Sequence, residues 1–322
     1  MKFDSTKALR NKEIFYRPLE KYLNKLFAGT IYEPLLDIIR EEIGDKWIEN
    51  SKEDLRKAIL SGRIQYTEDQ HFQGSFNSLI SKEIVKLGGK WDKVRKQWYL
   101  PKDALPFDIQ QAIGQSYSRF QRLQQRFQSF LDTLESVIQD LKDDNPFDVA
   151  PLFGEIVEKL ETGFQEGAKG IIVTPELTPE IVDGISENWS ENLNFYIKGW
   201  TIESINRLRR RVADNTFAGN RARDLVKVIQ HDFGISENKA KFLARQETAL
   251  LMSQFREERF KSAGVEKYRW STSGDSRVRE RHRELNGKVF TWDNPPIIDE
   301  LGHRGHPGQD FNCRCIAIPI ID

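Results

Sequence analysis

The chain has 322 residues, with 49 basic and 49 acidic side chains, 38% apolar residues including 20 Phe, and a mean hydropathy of −0.60. That length gives room for two or three domains, and the composition supplies cores between long solvated helices, which excludes a disordered chain. No stretch approaches the roughly 18 apolar residues of a bilayer span, the opening "MKFDSTKALRNKEIF" lacks a signal peptide's apolar run, and two cysteines one residue apart make no disulfide framework. A soluble protein of a reducing compartment, without membrane contact, is expected.

Charge is uneven along the chain: residues 1–130 sum to +6, 131–200 to −11, 201–290 to +8 and 291–322 to −3. Such asymmetry fits either polyanion contact by the basic parts or solvated helical faces. The first 60 residues read as helical, since Leu19, Tyr22, Leu23 and Leu26 recur at helical spacing and "TIYEPLLDIIREEI" follows a break at Gly29-Thr30. In Leu87 to Pro106, the Gly88-Gly89 pair followed by Trp91, Trp98 and Tyr99 predicts a short hairpin behind the helix holding Ser81–Leu87. Those aromatics are taken as the module's core rather than as a stacking platform for nucleic acid.

From Ile113 to Leu141 apolar residues step by three and four through Tyr117, Phe120, Leu123, Phe127, Phe130, Leu134 and Val137. This predicts a helix of about 28 residues with a coiled-coil-like seam, buried on a neighbouring helix or another subunit. A loop over 142–154 and a helix in "PLFGEIVEKLETGFQEGAKG" follow, and Thr178 with Pro179 caps a helix running toward Trp200. Three successive helices are expected over 201–265, the second ending near Phe233-Gly234. Ser236 would cap the third, which runs to about Ser262 and closes at Gly264. "EKYRWSTSGD" and "NCRCIAIPII" then read as strands. The fold class is therefore mainly α, multi-helix N-terminal and middle regions with a small α+β C-terminal module. The expected regions are 1–110 (N-terminal helices with a Trp-rich hairpin), 111–254 (long helices) and 255–322 (the α+β module).

Asp275, Arg279 and His282 are spaced four and three apart, so a helix there would put all three on one face, with Asn286 extending it. An N-cap with an ion pair is the plainer reading of that pattern. In a strand, Cys313 and Cys315 share a face and Arg314 points oppositely. Together with His282 and His306 they have the composition of a four-ligand zinc site, and equally that of small buried side chains. A cysteine nucleophile lacks the base-plus-orienter arrangement it needs. Arg207 to Arg211, with Arg221 and Arg223 and then Arg277, Arg279, Arg281 and Arg283, concentrate guanidinium groups suited to non-specific, salt-sensitive phosphate contact, Arg209, Arg210, Arg211, Arg221 and Arg223 foremost. Phosphate-binding glycine loops, a nucleophile elbow and a His-Glu-x-x-His pair are absent from the sequence.

The order of "ARQETALLMSQFREERFKSAGVEKYRWSTSGD", "RVRERHRELNGKVF", "HPGQDFNCRC" and a final strand resembles the phage head-morphogenesis family, the Mu F-like minor capsid proteins, most clearly over about 190–322. The family pattern falls on Arg245, Glu247, Trp270, Asp275, Arg279, His282, Gly287, Pro307, Asn312, Cys313, Arg314 and Cys315, and leaves His303 outside it. The resemblance implies a non-enzymatic minor head protein, made in the host cytoplasm and present in few copies in the virion interior. It also implies association with the portal protein and other capsid or scaffold proteins, and non-specific binding of double-stranded DNA during packaging or ejection. It favours a metal, zinc, on His282, Cys313 and Cys315, since a small module with little core gains from a staple. The alternative is a Mu F-like toxin or nuclease-type enzyme, with His282 as general base and Arg279 and Asp275 beside it.

Overall fold

Apolar periodicity of three and four dominates the chain, and the structure, a computed structural model, answers it with a mainly α architecture carrying small antiparallel sheets. It describes residues 12–43, 54–61, 63–141, 147–217 and 222–321. No helix among the described residues is long and apolar enough to cross a membrane.

The helical opening is α1 (Lys12–Phe27) and α2 (Glu33–Ile43), joined by a π-helical turn (Ala28–Tyr32) that bridges the Gly29-Thr30 step without a break. After α3 (Leu55–Leu60) the Trp-rich module is larger than a hairpin. A first hairpin, β1 (Ile64–Tyr66) and β2 (His71–Gly74), precedes α4 (Ser78–Lys86), β3 (Lys90–Asp92) and β4 (Gln97–Tyr99), and the sheet order is β1-β2-β4-β3. Its core is Leu55, Ile64, Phe72, Ile80, Ile84 and Leu100, with Trp98 packed against it. Trp91 departs from the expected core role: it is 43% exposed on the edge strand β3 and meets Trp98 edge-on at 5.4 Å.

The long helix is α5 (Phe107–Asp140), which starts six residues earlier than its seam because Pro106 fixes the entry. It packs on α2 and α3. Its buried residues are Ile109, Ala112, Leu123, Phe127, Leu131 and Ile138, while Tyr117 and Val137 of the expected seam are exposed. A straight helix repeats every 3.6 residues, so the contact stripe drifts off a heptad seam over this length.

After α6 (Ala150–Ala168) the four helices expected between Thr178 and Gly264 are two: α7 (Pro179–Phe217) and α8 (Ala222–Ser262). Thr178 does start α7, its carbonyl taking the first N–H groups from Ile181 and Val182. The chain does not stop at Trp200 or at Gly234, and Ser236 lies inside α8, not at its cap. A mid-helix glycine costs only about 1 kcal/mol relative to alanine. Opposing that cost, α8 buries Val226, Ile229, Ala240 and Leu243, and sets fully buried Asp232 against Arg207 and the Tyr32 hydroxyl, which also meets Ser236 at 2.6 Å. Gly264 closes α8 as expected, at φ +73° with Val265 N–H donating to Phe260.

The chain groups into two compact units, each discontinuous in sequence. One unit holds 26–142 and 199–236, the other 1–25, 143–198 and 237–322. In the second unit, β5 (Lys267–Ser271) is the central strand of a sheet ordered β6-β5-β7, with α9 (Glu280–Leu285) between β5 and β6 (Val289–Thr291), and β7 (Ile316–Ile320) closing the fold. The strand β6 was not legible as such in the sequence, being only three residues long.

Candidate metal centre

The centre is built on β5. Trp270 is 1% exposed there, opposite Ala317 of β7. The chain returns to Trp270 at Gly287, whose φ of +80° lets its N–H donate to the Trp270 carbonyl at 2.8 Å, while Trp270 N–H donates to Lys288 at 2.9 Å. That return holds the short helix α9 over the sheet and turns its buried face, His282 and Leu285 at i and i+3, inward. The Trp270 indole meets the His282 ring edge-on at 5.4 Å. On the other side Asn312 turns at φ +53°, its N–H donating to the Gln246 side chain. Cys313 and Cys315 then point inward while Arg314 points out to the Asp275 carboxylate. The alternation expected of a strand is present, although β7 itself begins only at Ile316.

The convergence is tight. His282 Nδ1 lies 3.5 Å from the Cys313 sulfur and 3.5 Å from the Cys315 sulfur, and all three residues are buried. His282 Nε2 stands 3.0 Å from Asp310 Oδ2, outside hydrogen-bond geometry. Asp310 also takes Arg279 Nη1 at 3.0 Å. The Cys315 thiol donating to Cys313, with His282 beside it, lowers the Cys313 pKa. The resulting thiolate raises that of Cys315, and the Cys313 hydrogen bond raises that of His282. One thiolate beside an imidazole that favours protonation is the state these groups prefer.

The donor set fits zinc. Tetrahedral bonds of about 2.3 Å to sulfur and 2.0–2.1 Å to nitrogen place a nitrogen and a sulfur ligand about 3.6 Å apart. The two Nδ1···Sγ separations of 3.5 Å are close to that value. A carboxylate facing the second imidazole nitrogen is the usual way to orient a histidine ligand. No fourth ligand stands with them among the described residues.

His306, expected as that fourth ligand, is turned elsewhere: its Nδ1 lies 2.9 Å from the Tyr268 hydroxyl and its Nε2 3.4 Å from Glu257. Burial beside these two polar partners accounts for its place without a metal. His303 is exposed and bonds Asp299 at 2.6 Å. Asp275, Arg279 and His282 do not share a helical face, because α9 starts at Glu280: Asp275 lies before the helix with Arg314, and Arg279 at its N-cap reaches Asp310 and the Phe311 carbonyl.

Of the expected phosphate contacts, Arg209 is held by Asp132 and Glu135 at 2.7 and 2.8 Å, Arg211 meets His231 at 2.8 Å, and Arg210 is exposed and donates to the Asn206 carbonyl. Arg221 and the side chain of Arg223 lie outside the described residues. On α8, Glu247 is fully buried. One carboxylate oxygen accepts from Asn192 at 2.8 Å and the other has no partner among the described residues, while Arg245 lies over the Tyr16 ring and bonds its hydroxyl. Ser253 donates to the Pro307 carbonyl. Asp310 went unremarked in the sequence, where the only sign was a carboxylate three residues before the first cysteine.

Residues 206–318 match the family described as Phage Mu protein F like protein. A stretch of 145 residues is 32% identical to an uncharacterized protein of Haemophilus influenzae, covering 45% of this chain and 31% of that one. Over 131 residues the chain is 28% identical to the minor head protein GP7 of Bacillus phage SPP1, covering 38% of this chain and 42% of that one. The chain thus covers less than half the length of either relative. No solved structure matches it.

Proposed function

We propose, from the match of residues 206–318 to the Phage Mu protein F like family, that the chain is a minor, non-enzymatic component of a bacteriophage head, carried inside the virion. The observation that carries the reading is the extent of the match: it takes in the whole centre, from Trp270 through Asp275 and His282 to Cys315. A relative named as a minor head protein supports the same assignment. Portal and scaffold proteins are its partners in this reading. It meets double-stranded DNA through outward arginines such as Arg210, without reading sequence. The non-enzymatic side is supported by the placement of Asp275, Arg279 and His282, which share no helical face: Asp275 pairs with Arg314, while Arg279 and His282 lie against Asp310.

His282, Cys313 and Cys315 hold a zinc ion in this proposal, with Asp310 orienting the histidine. The ion's contribution is a structural tie between α9 and the segment before β7, in a module whose sheet has only three strands. Such a tie draws both thiols into thiolate form, which Cys315 resists on its own.

The test of the head assignment is fractionation of phage particles from the strain that encodes the chain, followed by immunoblotting. The chain is expected to sediment with DNA-filled heads at low copy. Its absence from purified particles overturns the assignment.

A further inference from the structure

Beside the cysteine pair, within the same compact unit, lies a cavity of about 610 Å³ between α8 and the segment leading into β7. Its walls carry five arginines and not one carboxylate. Four of the five are visibly engaged: Arg279 with Asp310, Arg314 and Arg277 with Asp275, and Arg245 with the Tyr16 hydroxyl. Arg256 is different. It is part-buried on the inner face of α8, it makes no ion pair or hydrogen bond with any described residue, and loss of water alone pulls its pKa down to about 10. Two turns back on α8, Thr248 is 3% exposed, lines the same cavity, and its hydroxyl has no partner among the described residues.

A desolvated guanidinium and an unsatisfied buried hydroxyl facing one cavity are each unfavourable in the free protein. Both are satisfied by the same thing, an anion with several acceptor oxygens. Arginine is suited to phosphate because its fork of donors matches two phosphate oxygens at once. The cavity is also far larger than an inorganic ion and falls within the range of small-molecule sites. Met252, Trp292 and the Tyr16 ring supply apolar wall for an organic portion. We propose that this cavity is a binding site for a phosphate monoester of about mononucleotide size, with Arg256 and Thr248 holding the phosphate and Met252 and Trp292 facing the attached group. Cys313 and Cys315 also line the cavity, yet the proposal depends on neither the head assignment nor a bound metal, because Arg256 and Thr248 hold the phosphate.

The experiment is calorimetric titration of the full chain with inorganic phosphate, with adenosine 5′-monophosphate and with adenosine, alongside Arg256→Gln and Thr248→Val. The nucleotide is expected to bind more tightly than phosphate, and adenosine not at all. Arg256→Gln is expected to weaken nucleotide binding at least tenfold while raising the thermal midpoint of the free protein, because it removes an unpaired desolvated charge. A merely structural arginine gives the opposite midpoint change. Thr248→Val, nearly isosteric, is expected to weaken binding several-fold with the fold intact. A short oligonucleotide with a 5′-phosphate against its 5′-hydroxyl counterpart separates the two sources of the group. Preference for the 5′-phosphate assigns the site to a DNA terminus, and binding of the mononucleotide alone assigns it to a free nucleotide. The proposal is overturned if neither the nucleotide nor phosphate binds at millimolar concentration. It is equally overturned if Arg256→Gln binds as well as the parent chain, or if both oligonucleotides bind equally and the nucleotide does not.

Discussion

Replacing Glu247 with Gln isolates the energetic consequence of a buried carboxylate. Glu247 is fully buried on α8, with only Asn192 among the described residues donating to its carboxylate, and burial raises its pKa from 4.5 to about 7. The folded state therefore favours the protonated acid. This group's contribution to stability is most favourable below the unfolded-state value, declines as pH rises from about 4.5 to about 7, and is constant above that. Linkage over those two values gives a loss of about 2.5 kcal/mol between pH 5 and pH 8 from this one side chain. Glu247→Gln removes the titration. Its amide leaves a different unsatisfied group in place of the orphan oxygen, but that cost is the same at every pH. The difference in unfolding free energy between variant and parent, measured by urea denaturation followed by circular dichroism at pH 5 and pH 8, is thus expected to move by about 2.5 kcal/mol in favour of the variant. Parallel pH dependences, agreeing within about 0.5 kcal/mol, would refute the reasoning. They would mean that the carboxylate is solvated or paired in the native ensemble.

Other outcomes follow from the same geometry. Purified chain is expected to carry about one zinc per molecule by elemental analysis, lost in Cys313→Ser/Cys315→Ser together with several degrees of thermal midpoint; a metal-free chain of unchanged stability removes the staple. Gly264→Ala meets open space but forces a side chain to φ +73°, so it is expected to lower stability by about 1 kcal/mol, read by the same urea titration. Asp275 is held down to about 2 by Arg314. Its contribution is present above the ordinary aspartate value and fades as pH falls toward 2, so Asp275→Asn is expected to flatten the acid limb of a thermal-melt series. For DNA, log affinity is expected to fall steeply with log salt, and Arg210→Ala to reduce that slope by about one; no binding at low ionic strength ends the DNA proposal.

Helix positions were legible in the sequence wherever a stripe of apolar residues faced one neighbour, as in Leu123 and Phe127 of α5. Their ends were legible only where a backbone device forced them. Gly264, at positive φ, stops α8; Gly234 does not stop it, since a glycine permits a left-handed turn without requiring one. The long-range pair of Asp232 with Arg207, 25 residues apart, helps keep the helix continuous there, and no local pattern announces it. The small strands β1, β2 and β6 escaped for a related reason. Three or four residues carry too little alternation to be read until their hairpin partners are known.

The same distinction between local and non-local information explains the site. The two cysteines were readable as a unit because i and i+2 geometry is a property of any extended segment, and it holds here although the ladder of β7 with β5 begins only at Ile316. His282 joined them by chemical type and His306 by proximity in sequence, and only the first criterion succeeded. Proximity failed because the turn at Gly308, at φ +97°, separates the two segments, leaving His306 beside Tyr268 and Glu257. Asp275 failed by the same test: a spacing of four and three means a shared face only inside a helix, and α9 begins five residues after it. What replaced the expected face is a set of crossing pairs, Asp275 with Arg314 and Arg279 with Asp310, each tying the α9 side to the cysteine segment. These two ties and the His282 cluster join the same pair of segments. In the proposed zinc centre, removal of the ion is therefore expected to loosen the centre without unfolding the sheet, and removal together with loss of Arg314 to cost more than the sum of the two.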